Sequence, residues 1–497
     1  MIAVSNDLMR RSDSSEIALG TASLELMRRA GVAVLTCYAW QDGTVIVCGV
    51  GNNGGDGYVL ALELCHRGIS CRLVLLEESF SDDGRFYFRQ CVEQGISWEV
   101  FSEQTCFSDA TVIVDCIFGT GFRGCVEGRA ATLIHRINQA RKPVVSVDIN
   151  SGLNGDNGQG ELCVLSDLTV AVGSYKYGHF LGKAKDVMKK KVCVDIGIPI
   201  LDEPTCIVAD RELFCGFFST RLQNSHKGTY GYVGILGGCL EYSGAAKLAN
   251  LSCSALRSGC GVATLAVPRG IAEGVLPFLL ESTLFAMPDD GMGHMIFDAT
   301  AIDSFLQGKR AVAVGMGWGQ SPENLRILAY ILECYEGSLV IDADGLNLLA
   351  KLDSALLQNT KSTVILTPHL KEFERISGIP MTDILHDPIR HAKAYAQKNG
   401  VCLLLKGACT IVTDGVECYL IDRGCSGMAT AGSGDVLSGI LVGLLGYSPA
   451  NAQTVACGAY LAGLAGELAE AETNPISMTA SDTVAKIPMA ISQIRLQ

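Results

Sequence analysis

The chain has 497 residues, 48% of them hydrophobic, with 56 glycines and a net charge of −13. Such a length predicts about three domains, or two large ones, and so acidic a balance excludes nucleic acid as an expected partner, because phosphate-backbone binding needs a basic surface. No apolar run reaches the roughly 18 residues of a membrane span, and the first residues lack the apolar stretch of a signal peptide, so a cytoplasmic protein without a membrane partner is expected.

The 21 cysteines are spread over the whole length without a C-x-x-C pair and read as small core residues rather than as disulfides. Residues 14–40 carry apolar side chains at helical spacing (Ile17, Leu24, Met27, Val32, Leu35), interrupted at Ala30-Gly31. A strand at 44–50 runs straight into GNNGGDG, a glycine loop that opens a helix, which is the placement a phosphate-cradling loop needs. Asparagines and carbonyls in such a turn suit a monovalent cation or a ribose-phosphate; an Asx-rich turn is the plain alternative.

Further strands at 71–77, 111–119, 143–149, 168–174 and 191–198 alternate with helical patterns and predict a parallel, doubly wound sheet. Ligands gather at the carboxyl ends of such strands. Three polar clusters stand there: 52–56, then Asp115 with the glycine loop 119–124, then 148–152.

At these residues the chain resembles a known family. GNNGGDG, VDCIFGTGFRG and VDINSGLNGDNG look like the signature loops of NAD(P)H-hydrate epimerases, over roughly residues 1–212. The resemblance implies that Asn52, Asn53, Gly54, Gly55 and Asp56, with Gly119, Thr120, Gly121, Phe122, Arg123, Gly124 and Cys125, hold the hydrated nucleotide. It also implies a potassium ion ligated near Asn53, Asp115 and Ser151, and Asp148 as the catalytic carboxylate. The pattern departs at Asn150, where the family usually has proline, which puts the stiffness of that turn in question. Epimerisation at the hydroxyl-bearing C6 breaks and re-forms a C–O bond, and Asp148 is expected both to protonate the departing hydroxyl and to steady the ring cation.

Residues 201–224 hold no sustained period and mark the expected junction, giving domains 1–212 and 213–497. A second α/β series follows, with strands at 231–236, 262–267, 311–315, 338–342, 363–367 and 401–405 and polar clusters at 314–319, 342–347 and 367–378. LLLKGACTIVTDG reads as a hairpin around Lys406-Gly407, with Lys406, at the end of a three-leucine run, placed for a phosphate contact; a solvated surface lysine is the plain alternative. In GCSGMATAGSGDVLSGILVGLLG, small residues run up to Asp435 and an apolar helix follows at once. A loop ending so at a helix start leaves backbone N–H groups free to hold an anion. Asp435 at its lip reads as a base facing a substrate hydroxyl; the alternative is a tight turn with Asp435 as N-cap.

HKGTYG, GG…YSGA, TPH..E, KG..T and GMATAGSGDVLSG resemble the ribokinase-like ADP/ATP-dependent NAD(P)H-hydrate dehydratases, over about residues 213–490. The resemblance implies that Ala245, Gly317 and His369 meet the hydrated nucleotide, that Lys406, Gly407, Ala408, Cys409, Thr410 and Gly434 hold the adenine nucleotide, and that Asp435 is the catalytic base. Met316 and Cys425-Ser426 stand where the family tends to have proline and Asn-Pro. The expected fold is therefore α/β in two domains, a Rossmann-like αβα layer structure followed by a ribokinase-like one. The expected activity is repair of hydrated NADH and NADPH (NADHX and NADPHX) by C6 epimerisation and dehydration, with K⁺ in the first domain, Mg²⁺ in the second, and ADP rather than ATP consumed, as in fused bacterial and archaeal members. A homo-oligomer is expected. Two other readings stand beside it: a ribokinase-like kinase of a vitamin precursor with an N-terminal nucleotide-binding module, and an N-terminal half that binds without catalysing.

Overall fold

The computed structural model describes residues 1–218, 220–253 and 257–495, so Ser219, inside the expected junction, lies outside the described residues. Ile2–Thr205 forms one compact unit and the chain from Cys206 onward another. The expected boundary at 212/213 is late. Cys206–Val208 pairs in parallel with Cys418–Ile421 and so belongs to the second unit, followed by the short helix Arg211–Phe214.

In the first unit, short runs rich in β-branched residues build a seven-stranded sheet. Its order is Ser97–Val100, Cys71–Leu75, Thr44–Cys48, Val112–Cys116, Val144–Val147, Leu168–Val172 and Lys191–Val194, every pair parallel. Ile46, Cys48, Val114 and Val147 face one core while Val45, Val47 and Ile113 face the other, so both faces of the sheet are covered by helices. The expected strands exist but end two residues or more early, because their last residues peel away into the loops that carry the polar clusters.

The pattern at 14–40 is two helices, Asn6–Ala18 and Ser23–Leu35. The break falls at Gly20, at φ +112°. Gly31 lies inside the second helix, where a Cβ would come within 2.5 Å of Val59; it marks close packing on helix Asn52–His66 rather than an interruption.

In the second unit the strand order is Thr283–Met287, Val262–Pro268, Tyr232–Leu236, Ala311–Val314, Ser338–Ile341, Thr363–Leu366 and Cys402–Leu405, all parallel. Thr410–Thr413 continues it antiparallel, as the hairpin at Lys406-Gly407 predicts, and Cys418–Ile421 pairs antiparallel with Thr410–Thr413. The strands 97–100, 206–208, 283–287 and 418–421 were not anticipated. The helices Ser243–Cys253, Ser433–Leu445 and Ala452–Glu472 contribute much of the core against this sheet. None of the 21 cysteines forms a disulfide, and twelve are buried. Among the described residues no helix is long and apolar enough to cross a membrane.

Candidate functional sites

The first site is built on strand ends. Asp148 follows Val144–Val147 with φ +63°, a left-handed conformation that costs a non-glycine residue of order 1–3 kcal/mol and that the surroundings must hold. They do so on both sides. Its Oδ1 accepts from Lys176 Nζ at 2.6 Å and its Oδ2 from Thr120 N at 3.0 Å, while its backbone carbonyl lies 2.7 Å from His179 Nε2. Lys176 is 2% exposed. Burial alone would raise the Asp148 carboxyl, but the Lys176 charge and the hydrogen bonds outweigh it and hold the group below its ordinary value. Burial and the same lysine lower His179 to about 4, leaving it neutral.

A cavity of about 850 Å³ opens over Asp148. Of the residues expected there, Asn52, Asn53, Asp56, Gly119, Thr120, Gly121, Phe122, Arg123 and Asp148 line it. Gly54, Gly55, Gly124 and Cys125 do not. Asn52 to Asp56 form the first turn of helix Asn52–His66 rather than a loop, and Gly54 packs so closely that a Cβ would sit 2.2 Å from the Gly49 carbonyl. Cys125 is exposed and Gly124 sits in the left-handed region at φ +87°.

Asp115 and Ser151 lie outside the lining. Asp115 is fully buried and accepts from Ser146 Oγ at 2.9 Å, Ser151 N at 2.9 Å and Ser151 Oγ at 2.5 Å. Burial raises its carboxyl, and these donors only partly offset it. Asn53 donates to the Phe118 carbonyl at 3.0 Å, yet its buried Oδ1 has no partner. The Asn150 departure does not loosen the turn: the side chain is fully buried and bonds Val164 O, Ser166 Oγ, Val187 O and Thr169 Oγ1 at 2.6–3.0 Å.

The second site gathers around Asp342, at the end of Ser338–Ile341. Its Oδ1 accepts from Lys406 Nζ at 2.8 Å and its Oδ2 from Ser438 Oγ at 2.7 Å. The next residue, Ala343, has φ +49°. Gly434 lies against this pair: a Cβ there would be 3.4 Å from Lys406 Nζ and 3.5 Å from Asp342 Oδ2. Helix Ser433–Leu445 starts from Gly432 at φ +96° without a side-chain cap, and the N–H groups of Gly434 and Asp435 find no acceptor among the described residues. Asp435 is thus the third residue of the helix and not its N-cap. Half-buried, it is pushed up to about 7 by burial and by the charge of Asp342, against the pull of Lys406.

His369 caps helix Leu370–Ser377, and Lys406 N donates to Pro368 O at 2.8 Å, which brings the TPH turn beside Lys406. Glu372 bonds His369 N at 2.9 Å and is itself raised by burial, against Lys406. Ala245 and Gly317 adjoin: a Cβ on Gly317, at φ +60°, would lie 3.0 Å from that of Ala245. Gly407 and Ala408 are exposed at the hairpin tip, whereas Cys409 turns into the core and Thr410 begins the next strand. The Cys425-Ser426 departure sits in a loop pinned by Glu467, which accepts from Gly424 N at 2.9 Å, and Glu470, which accepts from Gly427 N at 2.7 Å. Met316 is fully buried.

Sequence reasoning missed Lys176, Asp13 and His179 in the first site and Asp342, Glu372 and Ser438 in the second. Asp342 and Glu372 stood inside polar clusters at strand ends; Lys176 carried no signal beyond its place in a glycine- and aromatic-rich stretch.

Comparison with known proteins accords with this geometry. Residues 233–489 match the family model described as NAD(P)H-hydrate dehydratase, and residues 23–178 match the YjeF-related protein N-terminus. The bifunctional NAD(P)H-hydrate repair enzyme Nnr of Moorella thermoacetica is 33% identical, with 95% of this chain and 93% of that one aligned. The chain belongs to this family. Nnr of Pyrobaculum aerophilum is 31% identical over 99% of this chain and 98% of its own. Among solved structures, an ADP/ATP-dependent NAD(P)H-hydrate dehydratase from Bacillus subtilis, co-crystallised with ATP and Mg²⁺, aligns at TM-score 0.50 and 26% identity over 58% of this chain and 99% of that one. A ribokinase-like superfamily protein from Enterococcus faecalis, at TM-score 0.51 and 21% identity over 58% and 96%, shares the fold. Bifunctional repair of NAD(P)H hydrates, expected from the motifs, is thus the activity of the family, and the ribokinase-like layer structure is that of the second unit.

Proposed function

We propose that the unit Ile2–Thr205 interconverts the R and S forms of NADHX and NADPHX at C6 and that the unit from Cys206 onward dehydrates the S form, consuming ADP and releasing AMP and phosphate. The observation that carries this is Asp435: a half-buried carboxyl pushed up to about 7, next to Gly434, whose N–H finds no acceptor among the described residues and where a Cβ would lie 3.4 Å from Lys406 Nζ. A base matched to neutral pH next to an anion-holding helix start suits transfer of a phosphoryl group to a hydroxyl. Asp435 takes the proton of the C6 hydroxyl, while Gly434 N–H and Lys406 hold the phosphoryl group that the hydroxyl attacks. The ring nitrogen then expels phosphate, forming C6=N1, and loss of the C5 proton to the departing phosphate or to water forms C5=C6 and restores the dihydronicotinamide. Ala245, Gly317 and His369 position the hydrated ring, and Lys406 to Thr410 with Gly434 cradle the adenine nucleotide.

For Mg²⁺, the fit rests on Asp342 and Glu372, two carboxylates with one lysine between them; when bound, the ion would neutralise phosphate charge. No group of three or more His, Cys, Asp or Glu that could hold a metal ion forms among the described residues. For K⁺ the fit is closer. The unpartnered Asn53 Oδ1, Asp115, the Phe118 carbonyl and Ser151 are an oxygen-only donor set beside the cavity, and the ion would supply charge for a substrate phosphate.

The test offers hydrated NADH with ADP or with ATP and follows recovery of dihydronicotinamide absorbance. Recovery with ADP and little with ATP supports the reading; recovery with neither overturns it.

A further inference from the structure

The cavity of the first unit holds two carboxyl groups to which the reading above gives no step in the chemistry, although Asp56 stands among the residues expected to hold the nucleotide. Asp56, on helix Asn52–His66, and Asp13, on helix Asn6–Ala18, line it together with Asp148 and Lys176. Both are half-buried, and neither side chain has a hydrogen-bond or ion-pair partner among the described residues. Asp148 is the opposite case. One of its oxygens is held by Lys176 Nζ at 2.6 Å and the other by Thr120 N at 3.0 Å. A carboxylate clamped by a buried ammonium is an anion suited to steady a ring cation, and it has no proton to give. Hydroxide leaves C6 poorly unless it is protonated, so a donor other than Asp148 must supply that proton.

Resting on the epimerase reading of this unit, we propose that Asp56 is the catalytic acid that protonates the departing C6 hydroxyl, with Asp13 as the neighbouring carboxyl that passes the proton back. In the step, the Asp56 carboxyl proton goes to the hydroxyl oxygen, the C6–O bond breaks, water leaves, and the N1 lone pair forms C6=N1. A water then adds to the other face of C6, and the proton it sheds returns by way of Asp13 to the Asp56 carboxylate. Atoms and charge are restored. Asp148 keeps its charge throughout, and the cation forms within its field.

The electrostatics agree with this division. Burial first, and then the charge of Asp148, drive the Asp56 carboxyl well above its ordinary value, against the pull of Lys176. Burial takes Asp13 to about 6, again against Lys176. The other charged groups lining the cavity are Asp7 and Arg10, which pair with each other, Arg123, which pairs with Asp156, and Asp83. The thiols of Cys48 and Cys116, also near Asp56, are raised and stay neutral.

The experiment measures interconversion of the two epimers of hydrated NADH by chromatography, without added nucleotide, for the full-length wild type, Asp56→Asn and Asp56→Glu. Asp56→Asn is expected to lower kcat about 10²–10⁴-fold with KM little changed, and to abolish the fall in kcat at alkaline pH where the acid loses its proton. Asp56→Glu is expected to keep part of the activity and to move that alkaline limb. An Asp56→Asn enzyme with wild-type kcat and pH profile, or a defect confined to KM, overturns the proposal. Should Asp56→Asn fail to fold, the Asp56→Glu profile decides, because an unmoved limb overturns it too. A wild type that interconverts nothing overturns the epimerase reading itself, which is a different result from an active wild type with an indifferent Asp56.

Discussion

Asp435, in the first turn of a helix, and Asp148, just past a strand, carry the same side chain, yet burial and Asp342 hold one protonated to about pH 7 while Lys176 keeps the other charged. Dehydration should therefore rise with pH through about 7 and level off, and Asp435→Asn should lower it about 10²–10⁴-fold while adenine nucleotide still binds; unchanged turnover in a steady-state assay would remove the assignment. For stability the signs also differ. Asp435 is raised above the 3.8 of a free carboxyl, so its contribution is fully present below that pH and is lost as pH rises towards about 7. Asp148 is depressed below 3.8, so its contribution is present above that value and lost on further acidification. Lys176→Met strands a buried carboxylate and should cost the first unit about 3–5 kcal/mol in denaturant unfolding. Asp148 was legible as a carboxylate beside glycines at a strand end and Asp435 as one beside glycines at a helix start. Their lysines were not: Lys176 is 28 positions from Asp148 and Lys406 is 64 from Asp342, and only the folded sheets bring them together.

Single glycines decide how the helices meet. Helix Ser433–Leu445 lies so close to helix Ser243–Cys253 that a Cβ at Gly439 would fall 2.0 Å from the Ala249 carbonyl. Gly439→Ala should therefore lower the stability of the second unit by about 1–3 kcal/mol and, by shifting the start of its helix, lower dehydration as well; a thermal melt and the same assay check both. Gly31 shows why such positions mislead. In the sequence a glycine inside a helical pattern reads as a breaker, whereas here it is the point of contact, and its role depends on Val59, which no local window contains. Most central strands were readable from their apolar runs. The strand Ser97–Val100 was not, since Trp98 and Glu99 are exposed at a sheet edge and leave no alternating pattern.

At the scale of the molecule the two carboxylates lie in separate compact units, so the reactions should be separable by mutation. Wild-type protein with ADP is expected to restore a mixture of epimers completely. Asp148→Ala should consume the S form rapidly and leave the R form to drain at its spontaneous rate. Loss of all dehydration in a folded Asp148→Ala protein would show that the two halves share one site. A chain begun at 206 keeps the strand Cys206–Val208, whereas one begun at 213 exposes the edge of Cys418–Ile421; the longer piece should melt higher.

The thiols make the protein its own clock for opening. Four cysteines are exposed and twelve are buried, and the buried set is shared between both units. An alkylating reagent should mark Cys106, Cys125, Cys215 and Cys334 at once and then reach the rest only as fast as each unit breathes. Peptide mapping of the slow phase would thus say which unit opens first without any probe being introduced. Heating in air should in turn be irreversible, because every opened molecule presents thiols that cross-link before the chain can close again.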